Sequence, residues 1–250
     1  MTDEKTTVDH NAYQRGYFEN ADHVTLTRED SPYLRRHVRH IMEFAGIKPG
    51  DRVLEVGCGL GRYTFILAEL GVKVEGLDLS PQLVAKLDEI NAGRYDIPLH
   101  GHDLVDAPPE MYGAYDAVIG FFVLHHVHDL DSCFEVAARL VRPGGRVAFV
   151  EPNPLNPLYY VQITLTPEMR WKGEKGIFKM HDRILHPVME RAGLDDIATR
   201  RFGFLPPFVT NLPFGEKLES ILESVPIWER ALPFQLFGGT SNSKGPVDEV

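Results

Sequence analysis

The sequence predicts an α/β domain built around a mostly parallel β-sheet. From about residue 52, short apolar runs alternate with amphipathic stretches, which is the pattern of successive βαβ units. The 250 residues include 43% hydrophobic residues, enough to bury roughly 70–75% of the surface of the unfolded chain. One core with inserted elements is therefore expected.

Candidate strands and helices alternate through the first part of the chain. The strands are 52–56, 73–77, 98–100, 115–122 and 145–151, and the helices are 62–70, 81–92 and 132–140. Ser80 followed by Pro81 is typical of a helix start, and Ser132 and Glu135 have capping-box spacing. The stretch 142–145, Arg-Pro-Gly-Gly, is predicted to end the third helix and turn into the fifth strand.

The pattern changes after residue 151. Residues 152–180 contain four prolines and no clear period, so an irregular cap is expected within a longer insertion at about 152–192. A helix at 181–192, a strand at 196–204, a helix at 215–224 and a strand at 234–237 follow. Residues 46–240 form the main domain, 1–45 an N-terminal helical cap segment whose stretch 31–44 is expected across the open end of the sheet, and 241–250 a disordered tail.

Composition excludes several classes of protein. With 36 acidic and 26 basic residues the formal charge is −10, which disfavours a nucleic-acid substrate. Two cysteines, Cys58 and Cys133, imply no disulfide framework and fit a reducing cytoplasm. The N-terminus does not read as a secretion signal, and no apolar run reaches the ~18–20 residues that span a bilayer. A cytoplasmic location is expected.

Three glycines, Gly57, Gly59 and Gly61, lie between the first strand and the first helix, in the stretch VLEVGCGLGRY. A dinucleotide fingerprint would place its third glycine at position 62, where Arg62 stands, and no Gly-Lys-Ser/Thr follows as in a phosphate-binding loop. Glu55, directly before the loop, would oppose a pyrophosphate. The same carboxylate would favour a ligand that carries an ammonium or sulfonium.

Two further acids follow the next two strands. Asp78 lies seventeen residues past Gly61, where a carboxylate accepts hydrogen bonds from both hydroxyls of an unphosphorylated ribose. Asp103 lies in the stretch Gly-His-Asp-Leu at 101–104, where its side chain can accept from an adenine amine and the neighbouring N–H can meet a ring nitrogen. The acids indicate an adenosine-type ligand without separating NAD from other nucleosides.

The stretches EVGCGLG, LDLS, HDL, YDAVIGFFVLHHVHD and LVRPGGRVAFVEPN, in this order over about residues 45–151, resemble the class I S-adenosylmethionine-dependent methyltransferases. The resemblance implies a Rossmann-like three-layer sandwich with a seven-stranded, mostly parallel sheet, in which the strands at 196–204 and 234–237 form an antiparallel hairpin. It implies S-adenosyl-L-methionine as cofactor, with S-adenosyl-L-homocysteine as product.

The resemblance also implies roles for single residues. Glu55 would lie beneath the amino-acid part of the cofactor, Asp78 would hold the ribose, and Phe121 or Phe122 would offer its backbone to the ammonium. The alternatives are that Glu55 is a solvated strand-end acid and that Asp103 is a turn residue. The expected cofactor contacts are Glu55, Gly57, Cys58, Gly59, Gly61, Asp78, Leu79, Asp103, Leu104, Phe121 and Phe122.

The methyl acceptor is expected beyond the fourth and fifth strands, because ligands of open α/β sheets lie at the carboxyl ends of the strands. If the acceptor must lose a proton, a base is needed, and His126 is the first candidate, with Glu151 and His181 as lesser ones. Turn-capping, helix-capping or packing roles for these residues remain open. His125 and His126 are adjacent and cannot easily face one point, so no metal site is expected.

Aromatic residues of the cap indicate a partly hydrophobic acceptor, with oxygen favoured over carbon or nitrogen. They are Tyr159, Tyr160, Trp171, Phe178 and the stretch 206–208, which equally fit a small core of the cap itself. The stretch 156–159 resembles a signature of nucleic-acid amino-methyltransferases but lies after the wrong strand. A binding module without catalysis and an NAD(P)-dependent oxidoreductase are the rival hypotheses. The sequence predicts no oligomeric state.

Overall fold

The computed structural model describes residues 2–19, 30–165 and 171–242. Seven strands form one sheet in the order β3-β2-β1-β4-β5-β7-β6. The strands are β1 Arg52–Val56, β2 Lys73–Asp78, β3 Leu99–Gly101, β4 Tyr115–Phe121, β5 Val141–Pro152, β6 Leu194–Phe202 and β7 Phe234–Ser241. Strands β1 to β5 pair in parallel, and β7 runs antiparallel to both of its neighbours, β5 and β6. The predicted fold class is confirmed.

Ten α-helices lie within the described ranges. They are α1 Thr2–Glu19, α2 Pro32–Ala45, α3 Thr64–Glu69, α4 Pro81–Asn91, α5 Leu130–Leu140, α6 Pro157–Leu165, α7 Trp171–Glu174, α8 Asp182–Arg191, α9 Pro207–Thr210 and α10 Gly215–Glu223. Short 3₁₀ turns at Leu104–Asp106, Leu124–His126 and Lys175–Lys179 contribute to the candidate site. None of the helices in these ranges is long and apolar enough to cross a membrane.

Apolar side chains cover both faces of the sheet, because successive strand residues point to opposite sides. Val53 and Ile119 belong to the core shared with α2 and α3, whereas Leu54 and Phe149 belong to the core shared with α5 and α8. The result is a three-layer sandwich. All five parallel strands end at one edge of the sheet, called here the carboxyl edge.

Helix α2 packs on a face of the sheet. The expectation that it would lie across the open end of the sheet was wrong. Leu34, Val38, Ile41 and Ala45 recur at helical spacing and are all buried in the core that contains Val53. A stripe of this kind is stable only against another apolar surface. The N-terminus of α2 consequently lies near the carboxyl edge, since its C-terminus leads into the start of β1.

The segment after β5 is mostly helical, so the prediction of an irregular cap was wrong. Pro152 is the last residue of β5 and Pro157 is the first residue of α6, and proline is tolerated at a helix start because its missing N–H would have no helical partner there. These two prolines therefore mark boundaries of elements and not a lack of structure.

The last strand is longer than predicted and includes Gly238 and Gly239. A side chain at Gly238 would lie 2.5 Å from the ring of Phe44 on α2, so glycine here permits close packing of helix on strand. Residue 241 of the predicted disordered tail belongs to this strand, and residues 243–250 lie outside the described ranges.

The start of α5 also differs from the capping-box prediction. Asp129 is the N-cap, and its Oδ1 accepts a hydrogen bond from the backbone N–H of Ser132 at 3.1 Å, while its Oδ2 accepts from the Ser132 hydroxyl at 2.7 Å. The helix thus begins two residues earlier than the sequence suggested. Aspartate is an equally good N-cap residue, so pattern alone could not choose between the two.

The assignment of Asp129 as the N-cap residue of α5 predicts unequal effects of two alanine substitutions. Asp129→Ala should lower the free energy of unfolding by about 1 kcal/mol, because it removes the side chain that satisfies the first amides of α5. Ser132→Ala should cost less, because its backbone N–H still reaches Asp129. Urea unfolding of the two variants measures the difference, and a larger loss for Ser132→Ala would restore the capping-box interpretation.

Candidate functional site

The carboxyl edge brings together the residues that the sequence analysis selected from separate stretches. The glycine loop follows β1, Asp78 ends β2, Asp103 follows β3 and Phe122 follows β4. Strands β2, β1 and β4 are neighbours in the sheet. The loops that follow them are therefore adjacent in space.

The glycine loop has a backbone that other residues would strain. Gly57, Gly59 and Gly61 have φ angles of +74°, +52° and +83°, which lie in the left-handed region that glycine adopts without steric cost. A Cβ on Gly57 would lie 2.6 Å from Val123, and one on Gly61 would lie 2.6 Å from the ring of Phe65. The absence of side chains lets the loop approach both the exit of β4 and helix α3.

Asp78 ties the end of β2 to the glycine loop. Its Oδ2 accepts a hydrogen bond from the N–H of Gly59 and its Oδ1 accepts from the N–H of Ser80, both at 2.9 Å. Burial raises the pKa of Asp78, and the two amides oppose that rise. A carboxylate oxygen can accept two hydrogen bonds, so the side chain is fixed in place and keeps capacity for a ligand. Leu79, between Asp78 and Ser80, is half-buried.

Glu55 is buried in the structure, with 1% of its surface exposed, so it is not a solvated strand-end acid. Burial raises the pKa of Glu55 to about 8; the Thr64 hydroxyl opposes this rise, and the charge of Asp78 adds to it. Its Oε2 has no hydrogen-bond partner among the residues that the structure describes. An unpaired buried oxygen costs about 1–3 kcal/mol, and a donor placed beneath the glycine loop would remove that cost.

Cys58 is a packing residue of the loop. Its side chain is 3% exposed, and burial raises the pKa of its thiol well above the ordinary value. A Cβ on Gly76 would lie 2.9 Å from its Sγ. The thiol therefore fills the space against β2 and is kept protonated.

The side chain of Asp103 is an N-cap and also contacts helix α1. Its Oδ1 accepts from the N–H of Val105 at 3.3 Å, and its Oδ2 accepts from the side-chain amide of Asn11 at 2.5 Å. Leu104 is buried. The hydroxyl of Ser80 donates to Glu19, at the other end of α1.

Helix α1 reaches the loop after β4 as well. The Nε2 of His10 donates to the carbonyl oxygen of His126 at 2.7 Å, and the ring of Phe18 meets the ring of His126 edge-on. Contacts of this helix with the site were not predicted from the sequence. The only available signal was the run of polar and aromatic residues in 10–18, which has no apolar stripe.

Phe121 and Phe122 end β4 beside the glycine loop. The ring of Phe121 stacks on Tyr63 with a centroid distance of 4.1 Å. Phe122 has φ +56°, and its N–H donates to the carbonyl of Val150 at 2.7 Å. An ammonium only donates hydrogen bonds, so the carbonyl oxygen is the backbone atom of Phe122 that could accept from one.

Glu151 is fully buried and holds the loop after β4. Its Oε1 accepts from the N–H groups of Val123 and Leu124 at 2.8 and 2.6 Å, and its Oε2 lies 2.5 Å from Nδ1 of His125. Each oxygen of the carboxylate is thus engaged by the protein itself.

His125 connects β5 to the inserted segment. Its Nε2 lies 3.4 Å from Glu174 Oε2, which also accepts from the Tyr159 hydroxyl at 2.9 Å. Burial alone would lower the pKa of His125, but Glu151 and Glu174 raise it to about 9. Burial would raise the pKa of Glu174, but His125, His126 and Tyr159 lower it to about 2. Glu151, His125 and Glu174 therefore form a buried ion network, with the charged imidazolium of His125 at its centre.

The inserted segment also approaches His125 through its backbone. A Cβ on Gly176 would lie 1.7 Å from the carbonyl oxygen of His125, so only glycine allows the 3₁₀ turn to dock there. Glu174 and Gly176 were missed by the sequence analysis, because they lie in a stretch without periodicity.

The sequence analysis expected no metal site, on the ground that adjacent histidines face apart. The structure nevertheless brings one ligand atom each of His125, His126 and Glu174 within 4.8 Å of one another, a spacing that could hold an ion. Both ring nitrogens of His125 already face carboxylates. Its single positive charge offsets one of their two negative charges, and a metal would have to displace the proton that His125 holds.

The other two predicted catalytic residues lie in different environments. His126 is half-buried, and its ring centroid is 3.9 Å from that of His125. His181 is the N-cap residue of α8, and its carbonyl oxygen accepts from the N–H groups of Ile184 and Leu185.

The aromatic residues of the inserted segment cluster at its surface. The ring of Tyr160 stacks between Trp171 and Phe178, with centroid distances of 6.1 and 5.8 Å. Trp171 and Phe178 are 46% and 54% exposed, and Phe208 is 76% exposed. Exposed aromatic surface of this size commonly marks a binding surface.

Residues 29–199 match the protein family described as Methyltransferase domain. The chain is 35% identical over 140 residues to the ubiquinone biosynthesis O-methyltransferase of Sodalis glossinidius, covering 55% of this chain and 52% of that protein. It is 34% identical over 125 residues to the protein of the same name from Bordetella avium, covering 48% and 52%. These matches span about half the length of the curated relatives.

Solved structures share the fold at low identity. Geranyl diphosphate C-methyltransferase from Streptomyces coelicolor has a TM-score of 0.58 at 18% identity, covering 92% of this chain and 97% of that chain. Phosphoethanolamine N-methyltransferase 2 of Haemonchus contortus, in complex with S-adenosyl-L-methionine, has a TM-score of 0.59 at 19% identity, covering 83% and 52%. The acceptor atoms of these two enzymes differ, so the fold does not select the acceptor.

The ion network predicts a loss of stability at high pH. The pKa of His125 in the folded protein, about 9, exceeds its ordinary value of 6.5, so its stabilising effect is complete below about pH 6.5 and is lost as pH rises through 9. The free energy of unfolding should fall by on the order of 1–3 kcal/mol over this range. Urea unfolding at pH 6 to 9.5 measures the decline.

Glu174→Gln should make this decline smaller and move it to lower pH, because only Glu151 then stabilises the imidazolium. Tyr159→Phe is the matched control, since it removes a contact of Glu174 and leaves both carboxylates. A difference between wild type and Glu174→Gln that is constant across pH would contradict the assigned charge of His125.

Proposed function

The chain belongs to the S-adenosylmethionine-dependent methyltransferase family, and we propose that it methylates an oxygen atom of a small, partly hydrophobic molecule. The observation that carries the proposal is the buried Glu55, whose Oε2 lacks a partner beneath a glycine loop held by Asp78. The name of the relatives, O-methyltransferase, supports oxygen as the acceptor atom.

The residues present fit the cofactor at three points. The amino-acid part would lie on the glycine loop, with its ammonium near Glu55 and the carbonyl of Phe122. The ribose hydroxyls would donate to Asp78, which its two amides hold in place. Adenine would lie by Asp103 and Leu104, where Asn11 contacts the same carboxylate in this structure. Gly57, Cys58, Gly59, Gly61, Leu79 and Phe121 complete the proposed contacts.

When bound, S-adenosylmethionine supplies a methyl group on a sulfonium, which is already activated for displacement. The protein then has to align the acceptor in line with that methyl group, an effect worth roughly 7–11 kcal/mol in well-oriented reactions. A proton must leave if the acceptor is a hydroxyl, and a histidine near neutral pH is suited to take it. The proposed function therefore needs one base at the edge after β4.

We assign the base to His126 and a positioning role to Glu151. His126 is partly exposed and lies on the turn that follows β4, whereas each oxygen of Glu151 is engaged by backbone amides or by His125. Glu151 thus fixes the turn on which His126 lies. His181 begins α8 and receives no chemical role in this proposal. The acceptor is a small molecule and not a nucleic acid, since the chain carries a formal charge of −10.

Cofactor binding is expected to depend on the protonation of Glu55. In the free protein this carboxyl has a pKa of about 8, so it is mostly neutral at pH 7, and a bound ammonium would ionise it. The affinity for S-adenosylmethionine should rise with pH, by up to about tenfold per pH unit, until the cofactor's own ammonium begins to lose its proton near pH 8. Calorimetry in two buffers with different ionisation enthalpies should also show proton release.

Glu55→Gln is the control for this linkage, because it keeps the shape of the side chain and removes the titration. Titration of the cofactor's own amino group persists in the variant, so the difference between the two proteins isolates Glu55. Equal pH profiles for wild type and Glu55→Gln would argue against a cation at this carboxylate.

The function is tested with methyl-labelled S-adenosylmethionine and a metabolite extract. Label should appear on an oxygen atom of a small molecule, and His126→Asn should lower kcat by about 10²–10⁴-fold while the Kd of the cofactor stays unchanged. His128→Asn, on the same loop, is the matched control and should retain activity.

Label on nitrogen or carbon would refute the oxygen acceptor. Cofactor binding without label transfer in any extract would favour a binding module without catalysis. Binding of NAD in place of S-adenosylmethionine would favour an oxidoreductase.

A further inference from the structure

A buried histidine on α2 has no part in the cofactor contacts or the base assigned above. His37 is 2% exposed, and its Nδ1 lies 2.8 Å from the carbonyl oxygen of Tyr33. A carbonyl only accepts hydrogen bonds, so Nδ1 carries the proton and Nε2 carries a lone pair. That Nε2 is buried and lacks a hydrogen-bond partner within the described part of the chain. A buried acceptor without a partner costs stability and calls for an explanation.

Five aromatic rings surround His37, and we call them the aromatic box. Their centroids lie 4.6 to 6.3 Å from the centroid of the His37 ring, and the members are Tyr33, Tyr63, Phe122, Phe202 and Phe234. Burial, with smaller contributions from Arg62 and Arg36, lowers the pKa of His37 to about 4. The imidazole is therefore neutral at physiological pH, and its buried Nε2 keeps a lone pair that could accept a hydrogen bond.

The aromatic box lies at the carboxyl edge, between the cofactor loop and the acceptor side of the sheet. Tyr63 follows the glycine loop, Phe122 follows β4 and Phe234 begins β7. Phe122 turns its ring toward His37 from a left-handed backbone with φ +56°. Non-glycine residues adopt this conformation rarely, and such positions cluster at functional sites.

One side of the box reaches the protein surface. Tyr33, Phe122 and Phe234 are half-buried, whereas Tyr63 and Phe202 are buried. The half-buried rings are the ones that would have to move for a flat apolar group to pack edge-to-face or offset against the box and to reach the buried Nε2.

We propose that the aromatic box binds the methyl acceptor and that His37 determines its specificity: Nε2 accepts a hydrogen bond from a hydroxyl group of an aromatic acceptor. This inference rests on the proposed function. Because His126 takes the proton of the reacting hydroxyl, His37 holds a second hydroxyl of the same molecule. A neutral donor is favoured over an ammonium, since the charges of Arg62 and Arg36 act on His37.

Two substitutions distinguish the contribution of the Nε2 lone pair from that of the aromatic ring of His37. His37→Phe keeps an aromatic ring and removes the acceptor, whereas His37→Gln keeps a hydrogen-bond acceptor in place of Nε2. His40→Phe is the matched control, because His40 lies one turn further along α2, is 7% exposed and has no partner for either ring nitrogen within the described ranges. Its ring contacts Phe202, at 4.3 Å between centroids.

The experiment compares 4-butylcatechol with 4-butylphenol, which lacks the second hydroxyl. In wild-type protein with S-adenosylmethionine, KM should be at least about tenfold lower for the catechol, since a site built to bind a hydroxyl discriminates against the analogue without it. His37→Phe should abolish this difference, His37→Gln should restore part of it, and His40→Phe should keep it. The Kd of the cofactor should change less than twofold in His37→Phe.

Four results would overturn the inference. They are an unchanged preference in His37→Phe, a cofactor Kd weakened tenfold or more in that variant, wild-type protein that binds neither probe, and a preference for 4-butylaniline over the catechol. The labelling experiment with S-adenosylmethionine and a metabolite extract separates the two proposals. If label still appears on oxygen and His126→Asn abolishes it, the proposed function stands and only the role of His37 fails.

A spectroscopic measurement on wild-type protein covers the case in which His37→Phe does not fold. With S-adenosylhomocysteine bound and histidine labelled with ¹⁵N, the Nε2 signal of His37 should move when 4-butylcatechol is added and should not move with butylbenzene. A signal that does not respond to the catechol would equally overturn the proposal.

Discussion

Burial of carboxylates at the carboxyl edge of the sheet is the constraint on which the site depends. A buried charge is stable only with partners, and three strands end in such a group. Asp78 is held by two backbone amides, and Glu151 by two amides and an imidazolium. Glu55 keeps an oxygen without a partner in the described structure. The first two carboxylates shape loops, and the third is the one for which we propose a cationic ligand.

The two sides of the edge use charge in different ways. On the side of β1 to β3, acids stand near the glycine loop, and the mostly neutral Glu55 prepares a place for a cation. On the side of β4 and β5, the charge of His125 lies between Glu151 and Glu174 and pairs with both. The network there therefore fastens the inserted segment to the sheet, beside the turn that carries the proposed base His126.

The sequence predicted the sheet, the glycine loop and the acids after β1 to β3, because these depend on local patterns: apolar runs, glycines with left-handed backbones and acids at strand ends. It could not place Glu174 beside His125, since that contact joins residues 49 positions apart through a segment without periodicity. It misplaced α2 and the start of α5, where two arrangements satisfy the same pattern. The unpartnered Nε2 of His37 could not be predicted, because the rings of Tyr33, Phe122 and Phe234 surround it only in the folded chain.

The reversed direction of β7 has a consequence for how this protein can change over evolution. Because β7 enters the sheet at the carboxyl edge, residues 203–233 and the segment after β5 both connect to the sheet at that edge, far along the chain from β1 to β3. Insertions or exchanges in these two segments leave the pairing of the cofactor strands intact. Together with His37 on α2, these two segments can thus change the proposed acceptor site, while β1 to β3 and their loops are inherited unchanged.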